Sequence, residues 1–227
     1  MTIYEHTPRN QVKRHPERGA YDAATIYPIV DAALICHVGF VLDGQPFVIP
    51  TLHARQGDTI LLHGSRTSRL LQHAQAGGEL CITVTLLDGI VLARAVFSHS
   101  INYRSAVLFG QGQPIEDADA QMAALEAFTE KLIPGRWNDA RLPSPTEMRQ
   151  TAIVAVPIAS ASANNSPSSR AASRSSADRL PRELPASPPT RRAIMPGCAL
   201  RRRQPVTMRS MLCIAPWPSL PAQTMTA

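Results

Sequence analysis

The sequence predicts a mainly β domain, an antiparallel barrel or sandwich with a few inserted helices, followed by a disordered C-terminal tail. Short apolar, β-branched runs recur between Leu34 and Ile158. Turn signals at Asp43-Gly44, Gly57-Asp58 and Asp88-Gly89 separate them, at spacings that suit hairpins and leave no room for parallel crossovers. After Ser160 the composition breaks: residues 161–227 hold 10 Pro, 10 Ser and 10 Arg, a single Trp, and no Phe, Tyr, His or Lys. Such a segment buries too little apolar surface to offset its ordering entropy.

Taken in order, residues 1–14 read as an N-terminal arm, punctuated by Pro8, with the folded domain over 15–160 and the tail over 161–227. Tyr21 to Ala33 carries apolar residues at helical spacing, with Pro28 as a weak point. Leu34–Leu42 and Gln45–Ala54 form a hairpin about Asp43-Gly44, and Pro50 marks an edge or a bulge in its second strand. Thr59–His63 is the third strand, followed by a polar turn and a helix from Ser68 to Ala76 that Gly77-Gly78 ends. Leu80–Leu87 and Ile90–Phe97 are expected to pair about Asp88-Gly89. A further strand starts at Val107 and reaches Ile115. Asp117 or Asp119 caps a helix whose apolar face is Met122, Leu125, Phe128 and Leu132. Ser144-Pro-Thr-Glu147 has the capping-box pattern, and Thr151–Ile158 is the last strand expected.

Charge is unevenly placed. Residues 1–160 hold 13 Lys and Arg against 15 Asp and Glu, whereas the tail holds 10 Arg against one Asp and one Glu. The basic character belongs to the tail, so it gives the folded body no nucleic-acid-binding signature. Cys36, Cys81, Cys198 and Cys213 form no C-x-x-C pair. The polar N-terminus shows no apolar signal segment and no run is long enough to span a bilayer, so a cytoplasmic protein without membrane attachment is expected. The histidines at 37, 53, 63, 73 and 99 make no H-x-x-x-H or H-E-x-x-H pair, no metal site is expected, and no G-x-S-x-G elbow supports a hydrolase. His37 reads as a core residue and His63, at a strand end, as the best functional candidate.

Three clusters carry polar chemistry. In His63-Gly-Ser-Arg-Thr-Ser-Arg69, hydroxyls at Ser65, Thr67 and Ser68 stand beside guanidiniums at Arg66 and Arg69 at a helix start, a combination suited to phosphate; the same residues also serve as ordinary caps and solvated charges. Ser98–Ser105 is a polar block between apolar strands, equally readable as a loop. Ile49–Arg55 contains Pro50, which either exposes backbone groups to a planar ligand or protects an edge.

Three blocks in order, HVGFVLDGQPFVIPTLHARQGDTILLHGSRTSRLL, CITVTLLDGIVLARAVFSHSINYRSAVLFGQG and AFTEKLIPGRW, resemble the flavin-nucleotide-binding proteins of the pyridoxamine 5′-phosphate oxidase-like superfamily, and within it the nitroimidazole-resistance (Nim-like) branch. The resemblance spans residues 15–160 and implies an FMN-binding split β-barrel, assembled as a homodimer with the flavin at the interface. It assigns the FMN phosphate to Ser65, Arg66, Ser68 and Arg69, and the ring to Pro50 and Thr51 with His63 nearby. Asn102, Tyr103 and Arg104 are expected to approach from the polar block, as residues of the second subunit. The implied function is an FMN-dependent oxidoreductase acting on small aromatic or nitro compounds; the alternative is a non-enzymatic flavin or haem carrier or sensor. A third reading makes the tail a cationic interaction module, although it lacks lysine and is nearly free of aromatics. The tail also departs from the family's continuation, and its Arg-, Ala-, Pro- and Ser-rich composition is that of a GC-rich gene read out of frame from near Ala163–Asn164.

Overall fold

A computed structural model describes residues 2–166. The expected disorder and the cationic-module reading of the tail beyond Ser166 lie outside the described residues. Nine strands are present there: β1 Gly19–Ala20, β2 Ile35–Leu42, β3 Gln45–Gln56, β4 Thr59–Ser65, β5 Glu79–Val91, β6 Ser100–Gln111, β7 Gln113–Pro114, β8 Thr151–Pro157 and β9 Ser160–Ser166. Four helices join them: α1 Ala23–Ala32, α2 Arg69–Gln75, α3 Ala118–Leu132 and α4 Pro145–Gln150. The strands pair antiparallel in the order β1-β9-β6-β5-β2-β3-β4-β8-β7. β8 and β9 stand near opposite ends of that order yet are joined by Ile158 and Ala159 alone, so the sheet curls until its ends meet. Ala159 N donates to Phe109 O at 2.9 Å at that closure. The result is a split β-barrel.

The split lies within β3. Residues 45–52 pair with β2, and residues 53–56 pair with β4. Pairing of β3 with β4 stops at His53↔Leu62, while β4 continues along β8 to Ser65↔Thr151. An open seam therefore separates Pro50 and Thr51 from Gly64 and Ser65. Alternate side chains on each strand fill the interior, among them Val38, Phe40, Ile60, Leu62, Ile82, Val84, Leu108, Val154 and Val156. Helix α1 adds Ile26, Ile29 and Val30 to this core. Its Asp22 caps Thr25 N, and Pro28 is tolerated because the helix carbonyl it leaves unpaired belongs to exposed Ala24. A second core lies outside the sheet, where Ala124 and Phe128 of α3 cover Ala54, Leu61 and Ile153.

Several expectations need correction. Asp88-Gly89 makes no hairpin: β5 runs straight through it with a bulge between Leu87 and Gly89, and the chain reverses later, through the 3-10 turn Val96–Ser98. The polar block from Ser100 onward is therefore strand, not loop. The folded body extends past Ser160, because Ala161 and Ala163 of β9 are buried against β6, and β9 continues to Ser166. The N-terminal arm is part of the folded body: Tyr4 is in the core and Asn10 is buried. On α3 the buried pair is Ala124 and Phe128, and Leu132 is exposed. His37 points outward, and the core histidine is His53. The capping box of α4 forms as expected, with Ser144 and Glu147 exchanging side-chain and backbone hydrogen bonds.

Candidate functional site

The seam carries most of the sequence-predicted residues. The β4–α2 turn is built by Ser68 N donating to Ser65 O at 2.9 Å and by Arg66 N donating to Gln150 O at 3.0 Å, so α4 holds the turn in place. Ser65 Oγ and Thr67 Oγ1 are 2.9 Å apart. Ser68 is the cap residue of α2, but its side chain makes no cap bond, so the hydroxyl stays available. Ser65, Arg66, Thr67 and Arg69 are exposed. Arg69 lies over the Phe47 ring at 4.4 Å, a contact across the seam that the sequence did not announce. Arg66 has no carboxylate within ion-pair distance among the described residues. With seven residues, α2 contributes little as a dipole, so the hydroxyls and guanidiniums carry the anion-binding character.

Strand alternation divides the ring-binding candidates. Pro50 faces outward, opposite His37 of β2, whereas Thr51 pairs with buried Cys36 and shares its inward orientation. One ring on the outer face can meet Pro50's side chain but only the backbone of Thr51. His63 shares the outer face of β4 with Leu61, and its ring lies 4.2 Å from that of Phe128. Burial pushes its pKa below the ordinary histidine value, and its Nδ1 is buried without a partner. Burial thus favours the neutral imidazole at His63, beside the seam, with Nδ1 uncommitted.

Asn102, Tyr103 and Arg104 are not brought to the seam of their own chain. They sit on β6, separated from β4 in the sheet by β5, β2 and β3. Arg104 is engaged by Asp88, with Nε and Nη2 donating to its two carboxylate oxygens at 2.9 and 2.8 Å. Asn102 Oδ1 is buried without a partner, and Tyr103 faces the side opposite to both neighbours. Phe128, expected only as part of the apolar face of α3, stands behind His63, a placement that no local signal announces.

A barrel split at β3, with a hydroxyl- and arginine-rich turn on one lip and an exposed proline on the other, defines a small-molecule-binding split-barrel protein. The pyridoxamine 5′-phosphate oxidase family model matches residues 22–165, and the chain belongs to that family. Among solved structures, the flavocytochrome Anf3 from Azotobacter vinelandii is 37% identical, covering 71% of this chain and 75% of that one, with a TM-score of 0.66. The FAD and haem binding protein from Mycobacterium smegmatis is 33% identical, covering 66% and 73%, with a TM-score of 0.62. A protein provisionally ascribed to 5-nitroimidazole antibiotic resistance, from Bacteroides thetaiotaomicron, is 26% identical over 64% and 84%, with a TM-score of 0.53. No curated protein matches the chain. Among the described residues no group of three or more His, Cys, Asp or Glu could hold a metal ion, and no helix is long and apolar enough to cross a membrane.

Proposed function

We propose that the chain is a flavin-binding redox protein with FMN as its cofactor, working as an oxidoreductase on small aromatic or nitro compounds. The observation that carries this reading is the turn Ser65–Arg69, where three hydroxyls and an arginine without a carboxylate partner face an open seam. That set fits a phosphate: neutral hydroxyls donate, and Arg66 supplies uncompensated charge. Arg69, stacked on Phe47, would set the inner wall of the same site. Pro50 presents a flat apolar surface to the ring, and neutral His63 can donate or accept one hydrogen bond beside it. The flavin would supply two-electron and one-electron transfer, and the protein would orient it and limit access.

A homodimer belongs to the same proposal. Ile35, Val41 and Val48 are exposed on the outer face of β2 and β3 around Pro50, and Phe97 at the tip of the β5–β6 ribbon is 99% exposed. Cover by a second copy would remove both from water and is how Asn102 and Tyr103 could reach a flavin. A cytoplasmic location goes with this proposal. Haem beside or in place of flavin is the second reading, favoured by the two relatives described as a flavocytochrome and as an FAD and haem binding protein.

The test is the absorption spectrum of purified protein before and after FMN addition and gel filtration. Retained flavin bands in a dimer-sized peak support the proposal. A Soret band without flavin bands moves the function to haem, and a protein that retains neither overturns both readings.

A further inference from the structure

The N-terminal arm and the outer face of β6 and β9 enclose a polar trough away from the seam. Asn10 anchors the arm: it is 3% exposed, and its Nδ2 donates to Glu5 O at 2.8 Å and to Ala161 O at 3.1 Å. Val12 N donates to the Tyr21 hydroxyl at 2.9 Å. The chain then turns at His15, whose φ is 58°, into the 3-10 turn Pro16–Arg18, and this turn sets Arg14 and Arg18 along one wall. Two clefts of about 310 and 330 Å³ share Arg14 and Asn164, so they form one continuous trough. Tyr103, Ser105, Ser162 and Ser166 line the opposite side, and no carboxylate lines either cleft.

The chemistry of this lining is specific. Arg18 Nη1 donates to Ser166 Oγ at 3.1 Å, which aims the guanidinium into the trough. Glu17 lies 3.8 Å from Arg18 Nε and 3.0 Å from His15 Nδ1, but Arg14 has no carboxylate within ion-pair distance among the described residues. The uncompensated guanidinium of Arg14, beside Arg18 and the serine hydroxyls, selects an anion. Asn164 adds a second requirement. Its Oδ1 is buried and has no hydrogen-bond partner, so it needs a donor from whatever fills the space. An anion without a proton to give, such as sulfate, meets the first demand and fails the second. A phosphate ester carrying sugar hydroxyls or a base N–H meets both, and each cleft is within the size range of small-molecule sites.

We infer that the trough between the N-terminal arm and β6–β9 binds a nucleoside phosphate, with Arg14 and Arg18 on the phosphate and Asn164 accepting from the sugar or base. This inference does not rest on the flavin reading: Arg14, Arg18 and Asn164 are not among the residues of the proposed flavin site, which shares only Tyr103 with the trough. The nucleoside phosphate can come from the ADP half of FAD or from a free nucleotide such as a dinucleotide electron donor.

The experiment is calorimetric titration of ADP into full-length protein, as purified and again after loading with FMN and with FAD. Saturable ADP binding is expected. Arg14→Ala, whose side chain makes no hydrogen bond within the described fold, should weaken it at least tenfold. Asn164→Ala should weaken ADP several-fold while leaving sulfate, which has no donor to give, unchanged. Arg149→Ala, on α4, should change neither. ADP binding lost only in the FAD-loaded protein identifies the ADP half of FAD as the occupant, whereas ADP binding to both loaded forms identifies a free nucleotide. Absence of ADP binding in every form, or binding unchanged by Arg14→Ala, overturns the inference; failure of flavin to load with ADP binding intact overturns only the flavin reading.

Discussion

Lys131 Nζ lies 3.0 Å from His53 Nε2, and both reach the carbonyl of Val30, at 3.1 and 2.9 Å. One polar point thus ties α3, β3 and α1 together within the fold, and His53 is 0% exposed there. Burial first, and the neighbouring Lys131 second, lower the His53 pKa from 6.5 to about 4. Asp31 opposes that shift and faces Lys131 as well. The unfolded chain takes up a proton at His53 near pH 6.5, and the folded chain only near pH 4. Between these values the unfolded state holds more protons, so stability falls as pH drops through that window and the loss is complete below it. The shift corresponds to a loss on the order of 3 kcal/mol. Urea unfolding of wild type and His53→Gln at pH 7, 6, 5 and 4 should show a flatter profile for the variant by that order. Parallel profiles would mean that His53 titrates alike in the folded and the unfolded chain, with no depressed pKa in the fold.

Two glycines look alike in sequence and differ in what they do. A Cβ on Gly110 would lie 2.3 Å from the Pro157 carbonyl oxygen, at the barrel closure, where backbone faces backbone. A Cβ on Gly64 would meet nothing nearer than Leu71 Cδ2 at 3.7 Å, an ordinary contact. Gly110→Ala should therefore cost several kcal/mol, about 3 or more, or prevent folding. Gly64→Ala should leave unfolding within about 0.5 kcal/mol of wild type, so any flavin affinity it loses would report close approach of the ligand to the β4–α2 turn. A large stability loss from Gly64→Ala would contradict the geometry of the seam.

The capping box offers a local test of how α4 supports the site. Ser144 Oγ accepts from Glu147 N at 3.3 Å, and Glu147 Oε2 in turn accepts from Ser144 N at 2.6 Å. α4 ends at Gln150, whose carbonyl receives Arg66 N. Ser144→Ala should cost about 1 kcal/mol by thermal or urea unfolding. It should also weaken flavin retention more than an equally destabilising change on the opposite side of the barrel.

The first hairpin, α1, the end of α2 and the capping box were legible because each carries a short-range signal whose cause is local: Asp43-Gly44, apolar residues at helical spacing over 21–33, Gly77-Gly78, and Ser144 with Glu147. The β5–β6 ribbon was not. Asp88-Gly89 has the sequence of a tight turn, but Asp88 pairs with Arg104 across the ladder, and a bulge absorbs the glycine. The real reversal at 92–99 has no glycine to announce it. β9 was invisible because Ser-Ala-Ser-Ala-Asn-Asn-Ser has no apolar run; small alanines suffice where β6 and α1 already fill the space. The histidines were misassigned for a related reason. Strand alternation turns His37 outward and His53 inward, and a sequence with apolar residues on both sides of each cannot show which is which.

The arginines of the proposed flavin site can be ranked by what already holds them. Arg104 donates two hydrogen bonds to Asp88, and Arg69 rests on Phe47, while Arg66 makes no ion pair among the described residues. A guanidinium without a carboxylate partner gives a phosphate its full charge, whereas one already paired must first leave its carboxylate. Arg66→Ala should therefore weaken FMN binding by roughly 10- to 100-fold, the range of a charge-assisted hydrogen bond. Arg69→Ala should fall between the two, since it loses charge and also frees the Phe47 face. Arg104→Ala should shift affinity by no more than about threefold, as exposed ion pairs contribute little. Quenching of flavin fluorescence on titration gives all three constants under one set of conditions. The reverse order, with Arg104 dominant, would transfer the phosphate from the β4–α2 turn to β6.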